Sequence, residues 1–177
     1  MIESFYWKEE LASISRKLKP VKKPPRYSER GLCIIERDLM IGFFMLRRLL
    51  ELNKVSSRTR NFDMEVYSCP NRGVDITHLN IGEFFEIYDF ENEKKETKKP
   101  LYISNQFIHA YISFVDRDES RNWNDAYIVS DYDRNECIWR IPIATIRGLF
   151  NVAFKDYPSQ LKYRYDENKE DYIATTN

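Results

Sequence analysis

A chain of 177 residues has room for one domain with a sizeable core, and its 42% hydrophobic and 15% aromatic content excludes wholesale disorder. Its 28 Lys and Arg balance 28 Asp and Glu, so no global field draws it to nucleic acid or to an anionic membrane; binding of that kind must come from a local patch. Three scattered cysteines (Cys33, Cys69 and Cys137) form no CxxC, which speaks against a disulfide scaffold or a zinc site and for reduced thiols in a cytoplasmic protein of bacterial style.

In chain order, the opening MIESFYWKEEL lacks the basic region and long apolar core of a signal peptide. A first helix is expected from Ile2 or Glu3 to Leu18, because Trp7, Leu11, Ile14 and Leu18 recur at helical spacing. Residues 19–27 read as a basic, proline-stiffened connector. Ser28 is a candidate N-cap for a long second helix ending near Asn53. Its apolar run LMIGFFML is too short to span a bilayer, which takes about 20 residues. FDMEVYS and VDITHL, flanking CPNRG, predict a β-hairpin. The sequence NIGE resembles a capping box, and EFFEIYDFENE should be a third helix, followed by a charged loop at 93–99. Pro100 suits the first turn of a fourth helix over Leu101–Val115. AYIVSDY and CIWRIPI read as two strands and IATIRGLFNVAF as a fifth helix; residues 159–177 form a further hairpin or a tail. The expected class is α+β: about five helices with β-hairpins in a single compact domain, 1–177.

Two positions stand out. On the helical wheel of the second helix, Asp38 falls opposite the other charges, among Ile34, Ile41, Met45 and Leu49. A carboxylate there needs a hydrogen-bonding or cationic partner, and Gly42 one turn later would let another element approach. The fourth helix carries no formal charge, and Tyr102, Asn105, Gln106, His109 and Ser113 make a neutral, hydrogen-bonding face suited to a protein contact or a polar cleft.

His109 is a candidate general acid/base, with Asn105 one turn before it. The stretch Ser104-Asn105-Gln106-Phe107-Ile108-His109 resembles the helical motif of HEPN-domain ribonucleases, with Ser104 where that family carries Arg. The resemblance spans one helix. It implies a metal-independent ribonuclease in which His109 deprotonates a ribose hydroxyl and a basic residue stabilises the phosphorane.

A basic run, Arg16, Lys17, Lys19, Lys22, Lys23, Arg26 and Arg30, with Tyr27 beside it, is the candidate anion or nucleic-acid patch; Lys54, Arg58 and Arg60 form a second basic group. His78, at the end of the second expected hairpin strand, has no Cys, Glu or His at metal-ligand spacing, and the acidic SDYDRNE turn lacks the Gly and distal Glu of a calcium loop. No nucleotide, hydrolase or zinc motif is present, so no cofactor and no metal is expected. The leading reading is a protein-interaction module rather than an enzyme. It pairs with another protein or with itself as a homodimer, in the manner of an immunity, antitoxin or defence-accessory partner. The alternatives are the HEPN-like nuclease and a nucleic-acid-binding accessory protein.

Overall fold

A computed structural model describes residues 3–168 and 170–176. The element order is α1 (Ser4–Lys17), α2 (Glu29–Glu51), α3 (Ser57–Arg60), β1 (Met64–Pro70), α4 (Phe84–Ile87), β2 (Lys94–Lys98), α5 (Pro100–Ile108), β3 (Ala110–Arg117), β4 (Trp123–Ser130), β5 (Cys137–Pro142), α6 (Ile143–Lys155), β6 (Leu161–Asp166) and β7 (Asp171–Thr176). The fold is a single α+β domain. Strands β2-β1-β5-β4-β3 form an antiparallel sheet, and β6 and β7 form a separate hairpin.

One face of the sheet presents Met64, Val66, Val115, Ala126, Ile128, Trp139 and Ile141 to the helices. There they join Leu11, Ile14, Leu39, Phe43, Leu46, Phe107, Ile146 and Phe150 in the main core. Phe43 stacks on Phe107 with ring centroids 4.0 Å apart, fixing α2 against α5. The opposite face is part-covered by the segment between β1 and β2, whose Ile76, Phe84, Ile87 and Tyr88 pack on Cys69, Ile112, Tyr127, Val129 and Ile138.

The helices α1, α2 and α6 form where the apolar period is 3.6, and Ser28 Oγ accepts a hydrogen bond from Gly31 N at 3.1 Å, capping α2. Ile2, one of the two expected starts of α1, lies outside the described residues. Four expectations are corrected. The partner of β1 is not VDITHL, which has no strand pairing; β1 lies between β2 and β5. Most of the 93–99 segment, Lys94–Lys98, is therefore an edge strand rather than a loop. Its KKETK sequence hides the strand because backbone pairing needs no apolar side chain, and lysines are what protect an exposed sheet edge. The third helix shrinks to a 3-10 turn, Ile81–Glu83, and the single turn α4. Asn80 does not cap it: its Oδ1 accepts from Thr77 N at 2.8 Å, closing a tighter local turn. The fourth helix stops at Ile108, and Ala110–Arg117 continues as β3, registered on β4 from Ala110↔Ser130 to Arg117↔Trp123. Its run of β-branched and aromatic residues fits a pleated sheet better than a helix.

Candidate functional site

The basic connector does not float free. It is pinned to the turn between β3 and β4. Arg121 takes a left-handed conformation (φ 67°), and Asp118 closes the turn by accepting Arg121 N at its carbonyl and Asn122 N at Oδ1, 2.8 and 2.9 Å away. This aims the Asn122 amide at Val21. Asn122 Oδ1 accepts from Val21 N at 2.8 Å, and its Nδ2 donates to Val21 O at 3.3 Å. Arg117 Nη1 donates to Pro25 O at 2.9 Å while the guanidinium lies 4.0 Å from the Trp123 ring centroid.

The result is a cleft of about 310 Å³ lined by Arg16, Lys17, Lys19, Val21, Pro24, Pro25, Arg117, Arg121, Asn122 and Trp123. Cations reach it from the end of α1, from the connector and from the β3–β4 turn; among the described residues no carboxylate lines it. Lys17 is partly neutralised by Asp38, 2.6 Å away, and Arg117 is held by Pro25 O and Trp123. Arg16, Lys19 and Arg121 make no ion pair among the described residues. Arg117 Nε is buried without a hydrogen-bond partner there. A low-dielectric wall carrying several like charges concentrates positive potential, and the species it favours is an anion.

Of the basic run, Arg16, Lys17 and Lys19 line the cleft, whereas Lys22, Lys23 and Arg26 are exposed on the connector and Arg30 lies in the first turns of α2. The second basic group does not join them. Lys54 lies beside Lys8, near the start of α1, at the other end of that helix from Lys17. Arg117, Arg121 and Trp123 stand in no pattern that marks them in the sequence; the one signal is a tryptophan two residues from an arginine in a turn-rich loop.

Asp38 is 4% exposed, on the buried stripe of α2 with Ile35, Gly42, Met45 and Leu49. Its Oδ2 accepts from Lys17 Nζ and its Oδ1 from Arg37 Nη2, both at 2.6 Å. Burial alone would raise its pKa, but the hydrogen bonds and charges of Lys17 and Arg37 hold it below the usual carboxylate value. Ile34 and Ile41, expected beside it, are instead 37% and 44% exposed, because the buried stripe passes one residue further on, through Ile35 and Gly42.

Asn105 and His109 lie elsewhere. His109 ends α5 at its C-cap, is exposed, and its carbonyl accepts from Asp131 N at 3.0 Å. With Tyr102, Gln106, Ser130, Tyr132 and Asp133 the two line a cleft of about 280 Å³. Gln106 organises it, donating to Asp133 Oδ2 at 2.6 Å and accepting from Ser130 N at 2.9 Å. Asn105 Oδ1 is buried without a partner among the described residues, and burial with the Asp133 charge pushes the Tyr102 hydroxyl above its ordinary value. Among the described residues no Lys or Arg lines this cleft, and Ser104, at the position of the HEPN arginine, is buried with its hydroxyl donating to Pro100 O at 2.7 Å. Asp38 and His109 share no partner and no cleft among the described residues.

Lys8 is a buried cation that no sequence pattern marks. Fully buried, it donates to Lys54 O at 2.8 Å and to Asp156 O, and lies 3.7 Å from the Tyr157 ring centroid. The Asp156 carboxylate in turn accepts from Ser56 N at 2.9 Å and from Thr59, tying α3 to the end of α6.

Among the described residues, no helix is long and apolar enough to cross a membrane, and no group of three His, Cys, Asp or Glu side chains is arranged to hold a metal. No protein-family model, curated protein or solved structure matches this chain.

Proposed function

We propose that this chain is a binding protein that takes the phosphate backbone of nucleic acid in the cleft between the connector and the β3–β4 turn. The observation that carries this reading is the convergence of Arg16, Lys17, Lys19, Arg117 and Arg121 on one cleft without a lining carboxylate among the described residues. In a chain with no net charge, such a gathering of cations costs mutual repulsion, and a bound polyanion relieves it. The interactions are with phosphate, so they position a strand without reading its sequence. Exposed Tyr27, on the same connector, offers a ring on which a base can stack.

The test is fluorescence anisotropy with a labelled single-stranded RNA and a labelled single-stranded DNA. Arg121→Glu should weaken binding roughly tenfold or more at moderate salt, because a phosphate that faced a guanidinium then faces a carboxylate. Arg58→Glu makes the same change of net charge away from the cleft and should leave affinity nearly unaltered. His109→Ala should also bind normally. Equal losses in Arg121→Glu and Arg58→Glu would reduce the effect to overall charge, and no binding by the wild-type chain would end the reading.

A further inference from the structure

The outer face of α2 carries a second, independent signal. Arg30, Ile34, Arg37, Ile41, Phe44, Arg48 and Glu51 follow one another at alternating spacings of four and three residues, the period of a coiled-coil seam. None of them is buried: Ile34, Ile41 and Phe44 are 37%, 44% and 50% exposed. This differs from the stripe one residue further on, which serves the protein's own core. Long apolar side chains at regular seam positions on a 23-residue helix are unusual on a face left to water.

The order of residues along this seam identifies what fits it. Ile41 stands near the middle of α2, and the seam is complementary to its own reverse. Set antiparallel against a second α2 about a two-fold axis at Ile41, Arg30 meets Glu51, Ile34 meets the aliphatic stem of Arg48, Arg37 meets the Phe44 ring, and Ile41 meets Ile41. Each unlike pair occurs twice, as a two-fold interface requires. Arg30 has no ion pair among the described residues, whereas Glu51 already collects Arg47 and Arg48 at 2.8 and 2.7 Å and can extend that network to a third cation. Beside the axis, Met40, Ile41, Phe44, Phe107 and Ile108 line a shallow, open apolar hollow of about 280 Å³ against which a facing Ile41 would pack. A parallel arrangement would instead set arginine against arginine at three levels.

We infer that the chain forms a two-fold homodimer through antiparallel pairing of its α2 helices. The inference is independent of the nucleic-acid reading, because Ile34, Ile41 and Phe44 line no part of the basic cleft.

Sedimentation velocity of the full chain across micromolar concentrations, with circular dichroism as a folding control, tests it. Wild type should sediment as a dimer that dissociates on dilution. Ile41→Glu, a change at a solvent-exposed position, should keep its fold and raise the dissociation constant roughly a hundredfold, because two carboxylates would then face each other in an apolar contact. Arg30→Glu should weaken the dimer roughly tenfold, and adding Glu51→Arg should restore it. Oxidative cross-linking fixes the direction of pairing. In a Cys33→Ser background, Ile41→Cys should form a disulfide-linked dimer. Exposed Cys33 in the wild type should not, since eight residues from the axis at 1.5 Å rise put the two copies about 24 Å apart. A wild-type monomer at all concentrations, a dimer unaffected by Ile41→Glu, or cross-linking through Cys33 would each overturn the inference.

Discussion

Asp38 and Lys8 are both charges inside the helical layer, and they are accommodated in opposite ways. Asp38 is buried, but the side chains of its partners Lys17 and Arg37 are 45% and 60% exposed, so removing the carboxylate strands no cation. Asp38→Ala should therefore cost about 1.5–3 kcal/mol in urea unfolding, the range of hydrogen bonds to charged groups, rather than the roughly 3–5 kcal/mol of a stranded buried charge, and Asp38→Leu less. Because its pKa in the folded state is depressed, the stability Asp38 contributes is present above the unfolded carboxylate value and lost as pH falls through the folded one. That loss should be missing in Asp38→Leu.

Lys8 runs the other way. Burial, opposed by Asp156 and reinforced by Lys54, lowers its pKa from 10.5 to about 8. Between those values the unfolded chain binds the proton that the folded chain has released, so the contribution of Lys8 to stability rises with pH across that window. The thiols of Cys69 and Cys137, pushed up by burial to about 12 and about 11, act in the opposite sense once the unfolded chain begins to lose those protons. The Lys8 effect is isolated by the difference between wild type and Lys8→Met in melting temperature as pH is raised from 8 to 10. Wild type should gain relative to the variant; a constant difference would show that Lys8 keeps an ordinary pKa.

At the scale of elements, the crossing of α2 with α1 and α6 is set by Gly42. A Cβ there would stand 2.8 Å from the Phe150 ring and 3.3 Å from Ile14 Cδ1. Phe150 is fully buried and leans on Phe43, so it cannot retreat. Overpacking of this kind costs about 1–3 kcal/mol, against about 1 kcal/mol that alanine gains over glycine within a helix. Gly42→Ala should lower the urea midpoint; an unchanged or raised midpoint would mean that the helices can part. Elements governed by their own periodicity are legible in the sequence: α1, α2, α6, β4 and β5 lie within a few residues of where the apolar spacing puts them. Those governed by a neighbour are not. The Lys-rich β2 is a strand only because β1 offers it a backbone edge. The uncharged run after Pro100 looks helical until β4 captures its second half.

Across the whole molecule, the sequence discloses half of the cleft. Arg16, Lys17 and Lys19 are visible as a basic run, but Arg117, Arg121 and Trp123 reach them only because the β3–β4 turn folds back onto the connector through Asn122. No local pattern reports such a contact. Asn105 and His109 are legible as a pair, and the structure sets them beside Gln106 and Asp133 rather than beside cations. If α2 pairs as inferred, two basic clefts belong to one particle, and a strand long enough to reach both would gain affinity from the second cleft.

The central claim, that phosphate groups occupy the cleft, is met most directly by the salt dependence of binding to a single-stranded oligonucleotide. The logarithm of affinity should fall linearly with the logarithm of salt concentration, by about 0.7 for each phosphate neutralised. In the triple variant Arg16→Ala, Lys19→Ala, Arg121→Ala the slope should shrink by about two, along with the affinity itself. A wild-type slope near zero, or a slope that the triple variant leaves unchanged, would contradict the account.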